Sequence, residues 1–156
     1  MKTLLNNWQF ALGETADCLR DGKMVTLPHT WSVQDDAQYD LGKGWYRTTL
    51  AWGPQEDRVF LRFRGAYRDT DVYVNGRLAG QHAGSGYTPF VLEITDFLNA
   101  DGDSEITVSV DNRFSQDALP YDRSFDWAND GGLYRPVECI RTGNIYIRGV
   151  DVQAQP

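Results

Sequence analysis

Asp57-Arg58-Val59-Phe60-Leu61-Arg62-Phe63-Arg64 alternates along its whole length: Val59, Leu61 and Phe63 fall on one side, Arg58, Phe60, Arg62 and Arg64 on the other. Successive side chains of a strand point to opposite faces, so this stretch predicts a strand with one apolar face turned to a core. Ile106, Val108 and Val110 repeat the pattern against Glu105, Thr107, Ser109 and Asp111, and Val72 and Val74 do so again. Asn75-Gly76 follows directly, the strongest short hairpin signal, because both residues tolerate positive φ. Further strands are predicted over residues 8–12, 24–27, 45–52, 90–94, 136–141 and 145–152. About nine or ten short strands joined by turns point to an all-β sandwich or barrel. The one predicted helical turn is 96–100, with Asp96 as its N-cap.

Composition agrees. The chain has 156 residues, of which 17 are Asp and 15 Gly but only five Glu and three Lys. Turn formers are abundant and long helix formers scarce. This length suits one domain and lets a core form without disulfide or metal. A net charge of −7 with 12 scattered arginines excludes a nucleic-acid footprint, which needs clustered cations. No window has the apolar length of a membrane helix. The opening Met1-Lys2-Thr3-Leu4-Leu5 is too short for a secretory core before Asn6-Asn7, which makes a cytoplasmic chain the expectation. Cys18 and Cys139 then read as two separate reduced thiols.

Two irregular stretches stand out, 29–43 and 113–132, and they carry Trp31, Tyr39, Tyr121, Phe125 and Trp127. Loops this long in a small domain usually serve a function or pack on a neighbour. Catalytic signatures are missing from the chain. His29 and His82 are its only histidines, so no catalytic metal cluster is expected. Ser85 near His82 lacks the Gly-x-Ser-x-Gly elbow and reads as part of a turn. No phosphate-cradling glycine motif occurs, and no cofactor is expected. Asp101-Gly102-Asp103-Ser104-Glu105 lacks the spacing of a calcium loop and reads as a solvated turn. Aromatic content of 13% fits sugar recognition, since flat rings cover the C–H face of a pyranose while polar groups take its hydroxyls. Trp8, Trp45, Tyr46 and Trp52 belong to strand patterns and read as core. Tyr87 could serve as a platform or pack the sandwich edge, and Trp31 and Trp127 stand evenly between core plug and sugar platform.

Several strings occur in order: Trp8-x-Phe10, Leu27-Pro28-His29-Thr30-Trp31, Gly44-Trp45-Tyr46-Arg47, Arg64-Gly65-Ala66-Tyr67, Val72-Tyr73-Val74-Asn75-Gly76, Gly80-x-His82-x-Gly84 and Gly86-Tyr87-Thr88-Pro89-Phe90. Val110-Asp111-Asn112, Gly131-Gly132-Leu133-Tyr134-Arg135 and Tyr146-Ile147-x-x-Val150 complete the series. Together they resemble the N-terminal sugar-binding domain of glycoside hydrolase family 2, the β-galactosidases, β-glucuronidases and β-mannosidases. The resemblance implies a jelly-roll, galactose-binding-like β-sandwich ahead of immunoglobulin-like and (β/α)8-barrel domains of the same polypeptide. It also implies a carbohydrate partner, with a galactoside slightly preferred, and admits a homo-oligomer.

Within that resemblance, the family's Asp nine residues before the Arg of Gly-Gly-Leu-Tyr-Arg reaches into the barrel's active site, and Asp126 has that offset. Asp126 is therefore the first candidate for substrate contact, joined by Trp127, Trp31, Tyr87 and Arg135. Arg135 could pin a carboxylate with two parallel bonds or make ordinary surface pairs. Where the family often places Asp or Asn before the Trp of Pro-His-x-Trp, this chain has Thr30, a hydroxyl without the carboxylate. The family's two catalytic groups are barrel glutamates, one following Asn. Glu14, Glu56, Glu93, Glu105 and Glu138 are the only glutamates here and none follows Asn, with Glu93 and Glu105 at solvent-side strand positions. The expectation is a non-catalytic module. A free-standing carbohydrate-binding module and a purely structural scaffold are the alternatives.

Overall fold

A computed structural model describes residues 1–34, 41–51, 53, 58–117 and 128–154. Among them are ten strands: β1 (Lys2–Leu4), β2 (Asn7–Leu12), β3 (Lys23–Thr26), β4 (Lys43–Leu50), β5 (Arg58–Phe63), β6 (Asp69–Val74), β7 (Arg77–His82), β8 (Phe90–Glu93), β9 (Ser104–Asp111) and β10 (Val137–Thr142). They form a four-stranded sheet in the order β1-β10-β5-β8 and a six-stranded sheet in the order β3-β2-β4-β9-β6-β7. Every named pair is antiparallel. The two sheets face each other as a sandwich, the architecture expected of the alternation.

The alternating residues build the core between the sheets. From the smaller sheet, Val59, Leu61 and Phe63 of β5 and Val137 and Cys139 of β10 point inward and are buried. From the larger, Phe10, Tyr46, Val108 and Val72 form one continuous inward row across β2, β4, β9 and β6. Ile106 and Val110 lie in the flanking rows and are likewise buried. Fully burying such side chains contributes roughly 1.5–3 kcal/mol each, which is why a period-two pattern selects this pairing register over a one-residue slip.

The hairpin forms as predicted. Asn75 (φ 50°) and Gly76 (φ 75°) both take positive φ between β6 and β7. Asn75 also clasps the neighbouring turn: its Nδ2 donates to the Phe97 carbonyl at 2.9 Å, and its Oδ1 accepts from the Glu105 amide at 2.9 Å. The β6–β7 register shifts at Val72/Tyr73, where a bulge re-aims the strand.

Several local expectations are corrected. The helical turn near Asp96 is a 3-10 turn, Thr95–Phe97, capped by Ile94 with no side-chain cap bond. Thr95 rather than Asp96 is the working residue, its Oγ1 accepting the Val59 amide at 3.0 Å. Residues 145–152 form no strand despite their alternation, and Ile145, Ile147, Val150 and Val152 are all exposed. The reason is pairing: β1 and β5 already occupy both edges of β10, the strand that leads into this segment. A six-residue 3-10 helix (Ala16–Asp21) and a four-residue helix α1 (Trp31–Gln34) escaped prediction, since each is too short to show a period. Trp52 lies outside the described residues.

Asn75→Ala should lower stability by about 2–4 kcal/mol, because it removes two clasping bonds and leaves a β-carbon residue at positive φ without side-chain support. The check is the urea midpoint, with an unchanged m-value marking a loss of stability alone.

Candidate functional site

The loop-bearing end of the sandwich is assembled from three stretches far apart in sequence. Trp31 N donates to the Gly131 carbonyl at 3.2 Å, and His29 N to the Leu133 carbonyl at 3.0 Å. Tyr67 and Gly132 exchange a reciprocal pair of backbone bonds at 3.0 and 3.1 Å. Residues 131–133 thus form a strap across 29–31 and 67. Gly132 takes φ +140°, and a β-carbon there would collide with the His29 carbonyl, so only glycine fits. Beneath the strap, His29 Nδ1 lies 2.9 Å from the Tyr46 hydroxyl.

Trp31 fills the space under this strap. Its ring stacks on Phe10 at 6.0 Å with an interplanar angle of 13°. A β-carbon on Gly44 would sit 2.6 Å from Trp31 Cζ3, and one on Gly131 would overlap the ring from another direction. Trp31 is 0% exposed. Of the two roles left open for it, the structure assigns the core plug. As a sugar platform it is corrected, since no ring face remains for a pyranose.

Tyr87 and Arg135 do reach the surface. Tyr87 is 45% exposed, with its ring 5.5 Å from Tyr67 and 6.4 Å from Tyr134. One edge packs on the sandwich while part of the ring stays accessible. The Tyr134 hydroxyl donates to the Gly86 carbonyl at 2.6 Å, fixing the turn that carries Tyr87. Arg135 lies over the Tyr134 ring at 5.1 Å, and its Nη1 donates to the carbonyls of Arg64 and Tyr87 at 3.4 and 3.3 Å. Among the described residues it therefore joins two loops through carbonyls and pins no carboxylate. Asp126 and Trp127, the other two candidates, lie outside the described residues.

The base of the loop that carries them is well defined. Asn112 Nδ2 donates to the Asn129 carbonyl at 2.6 Å, and Asn129 Nδ2 returns a bond to the Asn112 carbonyl at 3.1 Å. Both side chains are buried, and Asn129 Oδ1 also accepts from the Tyr67 hydroxyl at 3.0 Å. Arg68 is 1% exposed and donates through Nη2 to the Arg113 carbonyl. Its Nε lies 3.6 Å from Asp69 Oδ1. Asp111 accepts from the amide and Nε of Arg113, which also reaches Glu14 at 3.3 Å. Asn112, Asn129, Tyr67 and Arg68 had no individual role in the sequence reading. The only signal was their place inside or beside motifs, because a side chain that clasps a distant backbone leaves no periodic trace.

None of the four described glutamates stands free. Glu93 pairs with Arg58 at 3.2 Å, Glu105 with Arg47 at 3.3 Å, and Glu14 with Arg113. Glu93 and Glu105 lie on outer sheet faces as expected. Glu138 is 2% exposed, and its Oε1 takes Lys2 at 2.7 Å and Arg64 at 2.9 Å. Cys18 and Cys139 are free thiols, both raised above their ordinary range chiefly by burial. Among the described residues no three His, Cys, Asp or Glu side chains gather as a metal site.

Two measurements test the loop base. Asn129→Ala removes one half of the clasp and leaves buried partners unpaired, a cost of about 1–3 kcal/mol visible as a lower Tm. Burial pushes the Asp111 carboxyl up, but the Arg113 bonds and charge outweigh it, so Asp111 is held below its ordinary value. A depressed carboxylate stabilises the fold above its unfolded pKa, near about 4, and that contribution fades as pH falls through the lower folded value. Asp111→Asn should therefore lose stability at neutral pH and show a shallower fall of Tm below pH about 4 than the unaltered chain.

Comparison with known proteins supplies the context. The family profile described as "Glycosyl hydrolases family 2, sugar binding domain" matches residues 1–143. A β-glucuronidase of Bacteroides fragilis is 34% identical over 95% of this chain, which spans 21% of that protein. A β-galactosidase of Thermoanaerobacterium thermosulfurigenes is 30% identical over 95% of the chain, which spans 22% of it. Among solved structures, a putative β-galactosidase from Bacteroides fragilis superposes with a TM-score of 0.78 at 36% identity, over 92% of this chain and 23% of that one. The chain thus spans about a fifth of the length of these relatives. With two facing antiparallel sheets, the ordered motif series and a profile match over nearly its whole length, the chain belongs to the sugar-binding domain of the family 2 glycosyl hydrolases.

Proposed function

We propose that the chain is the non-catalytic N-terminal module of a retaining β-glycosidase, working beside a (β/α)8 barrel on the same polypeptide. In this reading the loop between Asn112 and Asn129 enters the barrel's pocket and Asp126 holds substrate hydroxyls there. The observation that carries it is the reciprocal Asn112–Asn129 clasp, which brings together the two chain positions that bracket Asp126. The length supports a non-catalytic role, since a (β/α)8 barrel typically takes about 250 residues and this chain has 156. Relatives named β-galactosidase and β-glucuronidase both match at similar identity, so both sugars belong in the test.

The isolated chain, incubated with chromogenic β-galactoside and β-glucuronide, is expected to release no chromophore. Turnover would place catalysis inside these residues and overturn the proposal. In the full polypeptide, Asp126→Ala should lower kcat/KM by roughly 30- to 150-fold on the preferred glycoside, the loss of a charge-assisted hydrogen bond to substrate. An unchanged kcat/KM would remove Asp126 from the pocket.

A further inference from the structure

The outer face of the four-stranded sheet carries a trough of about 550 Å³ between β5, β8, β10 and residues 146–148. Its walls are aromatic: the Phe60 and Tyr146 rings meet at 5.2 Å and 58°, and Tyr146 is 37% exposed. Two guanidinium groups, those of Arg62 and Arg148, line the same trough. Neither makes a hydrogen bond or ion pair among the described residues, and this sets them apart. Each of the other described arginines has a carboxylate or carbonyl partner.

The register shows what surrounds Arg62. Its cross-strand neighbour on β10 is Glu138, whose Oε1 takes Lys2 and Arg64 and whose Oε2 is buried without a hydrogen-bond partner among the described residues, and its neighbour on β8 is the apolar Val91. Arg62 thus lies beside a carboxylate without bonding it, and its guanidinium keeps its donors for a further partner. Thr142, also in the lining, has a buried Oγ1 with no hydrogen-bond partner among the described residues. Glu93 stands at the rim, held by Arg58. Two unbonded guanidinium groups and an exposed ring converge on one concavity of ligand size.

We infer that this trough binds an acidic carbohydrate, a glycan containing a uronic acid. The sugar carboxylate sits on Arg62 and Arg148, the pyranose C–H face lies on Tyr146, and Glu93 takes a ring hydroxyl. A neutral sugar would leave both guanidinium groups unanswered. The charge complementarity is local, since the chain as a whole carries −7 and repels anions at a distance. The inference does not depend on a barrel or on Asp126.

The test uses the 156-residue chain and three probes: a trigalacturonate, a neutral galactose trisaccharide and sodium acetate, each titrated to millimolar concentration by calorimetry at low salt. Saturable binding of the acidic trisaccharide is expected, with the neutral one at least about tenfold weaker. Arg62→Ala and Arg148→Ala should each weaken it roughly tenfold or more, and Tyr146→Ala should weaken acidic and neutral sugars alike. Thermal unfolding of each variant checks that the fold is kept, and Arg62→Lys supplies a milder change if Arg62→Ala fails to fold. No saturable binding overturns the inference, as does equal binding of acetate, which would mark a bare anion site. Affinity unchanged in both arginine variants overturns it too, and so does self-association that buries the trough in place of sugar.

Discussion

The loop end depends on the strap of residues 131–133 lying flat on residues 29–31 and 67. Backbone hydrogen bonds hold it, and backbone bonds of this kind require the main chains to approach without intervening β-carbons. Gly132 supplies that approach directly, while Gly131 and Gly44 leave room for the Trp31 ring between strap and sheet. Trp31 then seals this end of the core through its stack on Phe10. The chain emerges from the strap into Tyr134 and Arg135, whose bonds to Gly86, Arg64 and Tyr87 bring the adjacent turn into place. The exposure of Tyr87 thus follows from steric room left at glycines distant in sequence.

The two outer faces of the sandwich manage their polar groups differently. On the larger sheet, the supposedly solvent-facing Ser109 and Thr107 are buried. Trp45 and Tyr73, rings 6.1 Å apart, flank them, and Ser109 Oγ donates to Asp71 Oδ2 at 3.1 Å. On the smaller sheet, Lys2 and Arg64 converge on one buried carboxylate of Glu138. Breaking that cluster from one side would leave a charge buried without compensation, the expensive case.

The strands around the core were legible because their signal is repetitive: Val59-x-Leu61-x-Phe63 and Ile106-x-Val108-x-Val110 each state the period several times, and Asn75-Gly76 encodes its own turn. Where the same alternation failed, at Ile145-x-Ile147, the residues were suited to a strand but no edge was left beside them. β1 was illegible for the complementary reason, since Lys2–Leu4 has little pattern and is a strand only because β10 offers an edge. At the candidate site, sequence marked the loop and the glycine pair but left the role of Trp31 open. Its burial rests on two missing β-carbons, at Gly44 and Gly131, and linear order does not reveal that these face one ring. The Asn112–Asn129 clasp was hidden likewise, because each amide recognises the other's main chain.

The position of β1 beside β10 has a consequence for biosynthesis. A growing polypeptide can assemble the six-stranded layer once β9 has left the ribosome, since none of its members comes later. The smaller layer must wait for β10, the last of the ten described strands, because it joins β1 to β5. Until then the greasy side of β5 has an incomplete shelter and its backbone edge is open to any passing strand, a hazard typical of pairings distant along the chain. A product terminated before residue 137 would therefore face aggregation even with most of its layers written, since the strand that closes the smaller layer would be missing.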